Sequence, residues 1–249
     1  MSKRDDINSL YNQTNMLDKT CKTMFYGNVS ISLLSTLTPN QFQEVLQVIQ
    51  IITVIVYVIL KCVDDGVFWY NAEMERRKNN IQTAFDLRLS EMDTDGYYNN
   101  DLKPSVLKYA LNTFESNYFS KFLAGKMLGK SVLKALFSVI VLIISCWIIS
   151  TGDIILIIAE AIFSAYVIEE TIMLTLYKLR MDQLYNEAYT EFVTLGVKTK
   201  KQKIWLLSYV VEYEAVKAHF KVRLDSNLFA TYNNELSRNW DDLQKKVIV

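Results

Sequence analysis

The sequence predicts an all-α integral membrane protein: two transmembrane helical hairpins, four spans in all, with a cytoplasmic helical bundle. Three observations predict it. Apolar residues make up 51% of the 249 positions, yet there are only 7 Gly and 2 Pro. That pairing suits long helices and leaves few turn formers for a sandwich of short strands. Long apolar runs stand in two closely spaced pairs; all but the first are near the roughly 20 residues a helix needs to cross a bilayer. The connections expected on the outer side, Pro39–Glu44 and Thr151–Asp153, contain no Lys or Arg, as the positive-inside rule requires.

Residues 1–23 predict an N-terminal cytoplasmic helix, because Ile7, Leu10, Thr14, Leu17 and Cys21 recur on one helical face. Residues 24–63 predict the first hairpin. Its first span, Met24–Thr38, is short at about 15 residues, or roughly 22 Å. Thr38-Pro39-Asn40 then turns the chain toward Val45–Val63, where Gln47 and Gln50 sit at the outer interface or face a partner helix. Residues 64–130 predict a cytoplasmic insert: a helix over Val67–Glu91, a loop over Asp93–Lys103, and a second helix that Pro104 can open at its first position.

Residues 131–176 predict the second hairpin. Ser131–Ser150 carries one charge, Lys134, near an end where a long side chain can snorkel. Thr151-Gly152-Asp153 turns the chain into Ile154–Leu176. Residues 177–249 predict C-terminal cytoplasmic helices, among them Ile204–Leu224 with Trp205, Val210 or Val211, and Tyr213 facing inward. Neither Asp64-Asp65-Gly66 nor Tyr177-Lys178-Leu179-Arg180 contains a strong breaker, so both junctions predict helices that continue out of the spans.

Formal net charge is zero, which gives no bulk attraction to nucleic acid, and no direct nucleic-acid binding is expected. His219 is the single histidine, excluding a histidine triad or a multi-histidine metal site. Cys21, Cys62 and Cys146 have neither metal spacing nor a disulfide framework. With no Gly-rich phosphate loop and no nucleophile elbow, no catalytic residue, metal or cofactor is predicted, and the chain does not read as an enzyme. Asp93-Thr94-Asp95-Gly96 has its glycine at the wrong spacing for a calcium loop and reads as a polar turn.

Glu160 lies inside an apolar run, where a carboxylate costs several kcal/mol unless paired, protonated or hydrated. It reads either as a pore-facing or gating residue or as a packing residue partnered by Thr53 or Ser145. Glu169 and Glu170 fall nearer the inner end, toward headgroups or basic side chains. The basic runs Arg76-Arg77-Lys78 and Lys198-Thr199-Lys200-Lys201-Gln202-Lys203 read as a pocket for an anionic ligand such as a nucleotide, or as attraction to anionic headgroups or a solvated face. Tyr70, Tyr97, Tyr98 and Trp205 are candidate stacking partners or core residues.

The segment Arg76–Leu89, RRKNNIQTAFDLRL, resembles a motif of the SMODS-associated four-transmembrane effector family of bacterial anti-phage defence. The matching positions are Arg77, Lys78, Ile81, Gln82, Phe85 and Asp86. The order of helix, hairpin, insert, hairpin and tail is similar too; the first span and the tail depart from the pattern. The resemblance implies an inner-membrane, multi-pass effector with both termini cytoplasmic. It would be gated by a cyclic nucleotide from a partner synthase, oligomerise with copies of itself in the lipid bilayer and permeabilise the membrane. Arg76, Arg77, Lys78, Gln82 and Asp86 would then bind ligand. Gln82 and Asp86, four apart on one helical face, either line that pocket or brace the bundle. The competing expectations are a constitutive small channel or holin-like pore, and a non-conducting membrane scaffold.

Overall fold

The computed structural model describes residues 6–35, 40–92, 94, 98, 100–148 and 154–247, with backbone alone at 33, 35, 40, 41, 145, 148, 154–160 and 163. The ordered elements among them are helices: α1 (Ile7–Ser35), α2 (Asn40–Val63), α3 (Trp69–Phe85), α4 (Val106–Ile148), α5 (Ile154–Tyr189), α6 (Lys200–Phe220) and α7 (Ser226–Gln244). Two π-helical turns, Asp64–Phe68 and Thr190–Leu195, follow α2 and α5. The turns expected at Thr38-Pro39 and Thr151-Gly152-Asp153 lie outside the described residues.

Several expected breaks are absent. The polar segment and the short span after it run together over Ile7–Ser35 as one 29-residue helix, because nothing between Ile7 and Ser35 breaks a helix except the single Gly27. The π turn at Asp64–Phe68 carries the chain from α2 into α3, as the lack of a breaker predicted. α3 stops at Phe85, short of Glu91, because Asp86 takes a left-handed conformation (φ 55°) and ends it. Ser105 rather than Pro104 opens α4: its hydroxyl accepts from the Lys108 amide at 3.2 Å, capping the first turn.

The chain divides into two compact units. The first comprises Met1–Ser9, Asn71–Leu128 and Met173–Val249; the second comprises Leu10–Tyr70 and Gly129–Ile172.

In the first unit the core lies among α4, α5, α6 and α7. α6 buries Leu206, Tyr209, Val210 and Tyr213, and α7 buries Leu236, Trp240 and Leu243. Both sets follow helical periodicity. Tyr213 faces inward as expected; of the alternatives, Val210 is buried and Val211 exposed. Phe114 stacks on Phe192 at 5.5 Å and meets Trp240 edge-on at 5.3 Å. Each such ring contributes about 1.5–3 kcal/mol through burial.

In the second unit Cys21, Phe25 and Val29 of α1 pack with Tyr57 of α2, Val141 of α4 and Val167 of α5. Glu170 pairs with Lys61 at 3.1 Å and Lys134 at 3.3 Å. Lys134 therefore pairs within the bundle, with its ammonium 4.6 Å from the Phe25 ring centre. Gln50 is fully buried, so of its two expected settings it takes the one inside the helix packing.

Four spans are corrected to two candidates. Among the described residues, only the helical stretches Phe42–Phe85 and Val106–Ile144 are long and apolar enough to cross a membrane. Both keep large apolar side chains at the surface, Ile52, Ile59, Leu136 and Ile140 among them. α1 fails because polar residues, including Asn28, Ser30 and Ser32, interrupt its apolar half. α5 fails because Glu160, Glu169 and Glu170 crowd its first half.

The expectations built on four spans fall with that topology. These are the multi-pass inner-membrane localisation with both termini cytoplasmic, the lipid-embedded homo-oligomer, and the transmembrane antiviral pore gated by a cyclic nucleotide. The alternatives of a constitutive pore or a membrane scaffold rested on the same spans. In place of that architecture, each unit closes its own helical core.

Candidate functional site

The basic residues of α3 are held by carboxylates. Arg76 donates through Nε to Glu73 at 3.0 Å and through Nη2 to Glu214 of α6 at 2.5 Å. Arg77 Nε donates to the same Glu214 oxygen at 2.8 Å, and Lys217 reaches Glu73 at 3.1 Å. Three cations and two carboxylates thus join α3 to α6, with Arg76, Glu73 and Lys217 buried. Burial opposes the charge on Glu214, but Arg76, Lys217 and Arg77 prevail and hold its carboxyl below the ordinary range. Burial, with Arg76 beside it, lowers Lys217. Lys78 bonds Glu75 at 2.6 Å, and Ser90 donates to the other oxygen of that carboxylate.

The end of α3 is fastened by Gln82. Its side-chain oxygen accepts from the Leu89 amide at 3.0 Å and the Ser90 amide at 3.1 Å. Gln82, Asp86, Leu87 and Arg88 line a shallow hollow of about 260 Å³. The five residues expected to bind ligand are therefore divided: Arg76, Arg77 and Lys78 lie in ion pairs, while Gln82 and Asp86 border this hollow.

The side chains of Glu160 and Ser145 lie outside the described residues, as do Tyr97 and most of the Asp93-Thr94-Asp95-Gly96 turn. Thr53 bonds its own helix, donating to the Ile49 carbonyl at 2.8 Å. The remaining candidate aromatics do not converge: Tyr70 is exposed, Tyr98 bonds Ser116 at 3.2 Å, and Trp205 stacks on Tyr209 at 5.6 Å. Among the described residues no cluster of His, Cys, Asp or Glu could hold a metal ion.

A larger cleft lies in the first unit between α4 and α5. It encloses about 420 Å³, lined by Tyr118, Lys121, Phe122, Gly125 and Lys126 of α4 and by Lys178, Asp182 and Tyr185 of α5. That volume falls in the usual range for small-molecule sites. Helical spacing builds both walls: positions 118, 121, 122, 125 and 126 share one face of α4, and 178, 182 and 185 share one face of α5. Gly125 keeps the wall open. A Cβ placed there would touch only Lys178 Cε, at 4.0 Å, so no side chain crowds that point.

The cleft is aromatic and basic together. Lys121 Nζ sits 3.8 Å from the Tyr185 ring centre, and Lys126 Nζ lies 5.2 and 5.1 Å from the Phe122 and Tyr232 centres. Cations over ring faces gain from the ring quadrupole. Asp182 bonds Lys178 and lies 3.9 Å from Lys121. Burial lowers the Lys121 pKa, opposed by Asp182 and reinforced by Lys178. Partial desolvation strengthens any charge interaction made there.

Sequence reasoning missed this cleft. The α4 stripe of Tyr, Lys, Phe, Gly and Lys was visible as one face, but its pairing with Lys178, Asp182 and Tyr185 is a tertiary fact.

Fold and cleft together define an all-helical protein with a basic, aromatic surface site. No protein-family model, curated protein or solved structure matches the chain. With the two-hairpin order corrected, the family resemblance rests on the short Arg76–Leu89 segment alone.

Proposed function

We propose that this chain is a non-enzymatic, ligand-binding helical protein whose α4–α5 cleft takes a small organic anion bearing an aromatic ring. The supporting observation is the meeting of Lys121, Lys126 and Lys178 with Tyr118, Phe122 and Tyr185 around one hollow of about 420 Å³. The ammoniums supply attraction for the anion, and the rings supply apolar faces for an aromatic group. Electrostatic attraction in so open a site is screened by salt.

The test is titration of the full chain with 1-naphthyl phosphate, followed by calorimetry. At about −0.3 kcal/mol per non-hydrogen atom, a probe of about 15 such atoms binds with roughly −4.5 kcal/mol, a Kd near 0.5 mM. Gly125→Leu fills the cleft while keeping every charge and a good helix former, and it is expected to abolish binding. Binding undiminished in that variant, or no binding of the probe at all, defeats the proposal.

A second reading is favoured by the hollow at the end of α3. Asp86 and Arg88 supply one charge of each sign there, which suits a zwitterionic or amide-bearing ligand. Chemical shifts of the Arg88 side chain during the same titration separate the two sites.

A further inference from the structure

The cleft's charges do not cancel. Three lysines line it against one carboxylate, Asp182. Asp182 is engaged on both sides, bonded to Lys178 and within 3.9 Å of Lys121. The Lys126 ammonium instead lies over the rings of Phe122 and Tyr232, at 5.2 and 5.1 Å from their centres. No carboxylate of the described residues pairs with it. The site therefore carries an excess of two positive charges. A monoanion would leave one uncompensated, whereas a dianion would neutralise both. Among common organic anions the phosphate monoester meets this requirement, because its second proton leaves with a pKa near 6 and its charge at pH 7 is about −1.5 to −2. Diesters and sulfate esters carry one charge.

We propose that the cleft selects a phosphate monoester attached to an aromatic ring, seating the doubly charged phosphoryl group among Lys121, Lys126 and Lys178 and the ring against Tyr118, Phe122 and Tyr185. This rests on the binding reading above and specifies its ligand. Asp182 is the site's own counterion: its carboxylate, bonded to Lys178 and near Lys121, offsets the mutual repulsion of those two ammoniums. It also opposes the ligand, since its own negative charge faces the phosphoryl oxygens.

The experiment compares 1-naphthyl phosphate with 1-naphthyl sulfate, which matches it in ring and shape but holds one charge. Both are titrated into the full chain at low salt, pH 7.5, by calorimetry. The phosphate is expected to bind about fivefold more tightly, the effect of one added charge pair at about 4 Å in the solvent-like dielectric of an open cleft. Lys126→Gln, at an exposed position outside the buried core, is expected to bring the two esters within about twofold of each other. Asp182→Asn is expected to tighten both by about threefold to fivefold. Lowering the pH from 7.5 to 5 should weaken the phosphate alone, as it loses its second charge.

Equal binding of the two esters overturns the charge selection while leaving an aromatic-anion site standing. No binding of either removes the site itself. A phosphate preference that survives Lys126→Gln overturns the assignment of that lysine and with it the proposal.

Discussion

The ionic cluster between α3 and α6 makes Glu214→Gln a decisive perturbation. The glutamine is isosteric but neutral, and it leaves Arg76, Arg77 and Lys217 facing Glu73 alone. Glu214 accepts from Arg76 Nη2 at 2.5 Å and from Arg77 Nε at 2.8 Å. Hydrogen bonds to charged groups contribute about 1.5–3 kcal/mol each, and a glutamine carbonyl retains about 0.5–1.5 kcal/mol of that. Breaking one partner of a buried pair costs about 3–5 kcal/mol in general. Two bonds weakened by about 1–1.5 kcal/mol each come to about 2–3 kcal/mol, which meets the lower end of the pair-breaking range at roughly 3 kcal/mol, a large fraction of the 5–15 kcal/mol typical of a folded domain.

The assay is urea unfolding of the full chain followed by tryptophan fluorescence. Adding Arg76→Met should recover part of the loss, because it removes one of the stranded charges. The Glu214 carboxyl is held below its ordinary value of 4.5 in the folded chain. Its contribution is therefore complete above the unfolded value and is lost as pH falls through the folded one. The variant should accordingly show a flatter acid limb in its stability profile. A loss under about 1 kcal/mol together with an unchanged acid limb would refute the cluster's role in holding the two helices.

Two further predictions concern the same unit. Burial raises the pKa of Tyr177, Tyr209 and Tyr213 far above the usual 10, so their stabilising effect is complete below pH 10 and lost above it as the unfolded chain ionises first; absorbance of phenolate against pH should therefore rise for these three together with loss of helical circular dichroism, and a smooth rise in a still-folded chain would contradict the burial. Trp240, 1% exposed and packed on Phe114, should cost about 3–5 kcal/mol when cut to alanine, measured as a shift in urea midpoint, and a loss below 1 kcal/mol would mean that α7 contributes little to the core.

What could be read beforehand was local. The helical class, the unbroken passage from α2 to α3 and the inward face of Tyr213 follow from periodicity and the scarcity of breakers, while the choice of Val210 over Val211 needed the structure. Glu73 and Arg76 stand three apart, so that pair was also visible in principle. Glu214 lies 138 residues from Arg76, and no spacing rule reveals a partner at that distance. The basic run therefore reads as available charge until the fold supplies its carboxylates. The end of α3 was hidden for a different reason: a left-handed aspartate carries no stronger signal than any other polar residue. The four-span expectation gave too much weight to the length of apolar runs and too little to the polar residues in α1 and the three carboxylates in the first half of α5. The α4–α5 cleft needed two stripes more than fifty residues apart to meet.

The start of α6 is a reciprocal cap: the Thr199 hydroxyl accepts from the Gln202 backbone at 3.2 Å, and the Gln202 side chain answers. Gln202 accepts from the Lys198 and Thr199 backbones at 2.9 Å each through one atom, and through the other donates to the Gly196 carbonyl at 2.8 Å and to Glu191 at 3.2 Å. Gly196 itself holds φ 74° and ψ 149°, a conformation reserved in practice for glycine. Natural drift at position 202 is thereby narrowed beyond what its exposed surroundings suggest: glutamate would present a second acceptor to two acceptors, and asparagine falls a methylene short. A chain diverging from this one should hold glycine and glutamine six apart long after the lysines around them have changed.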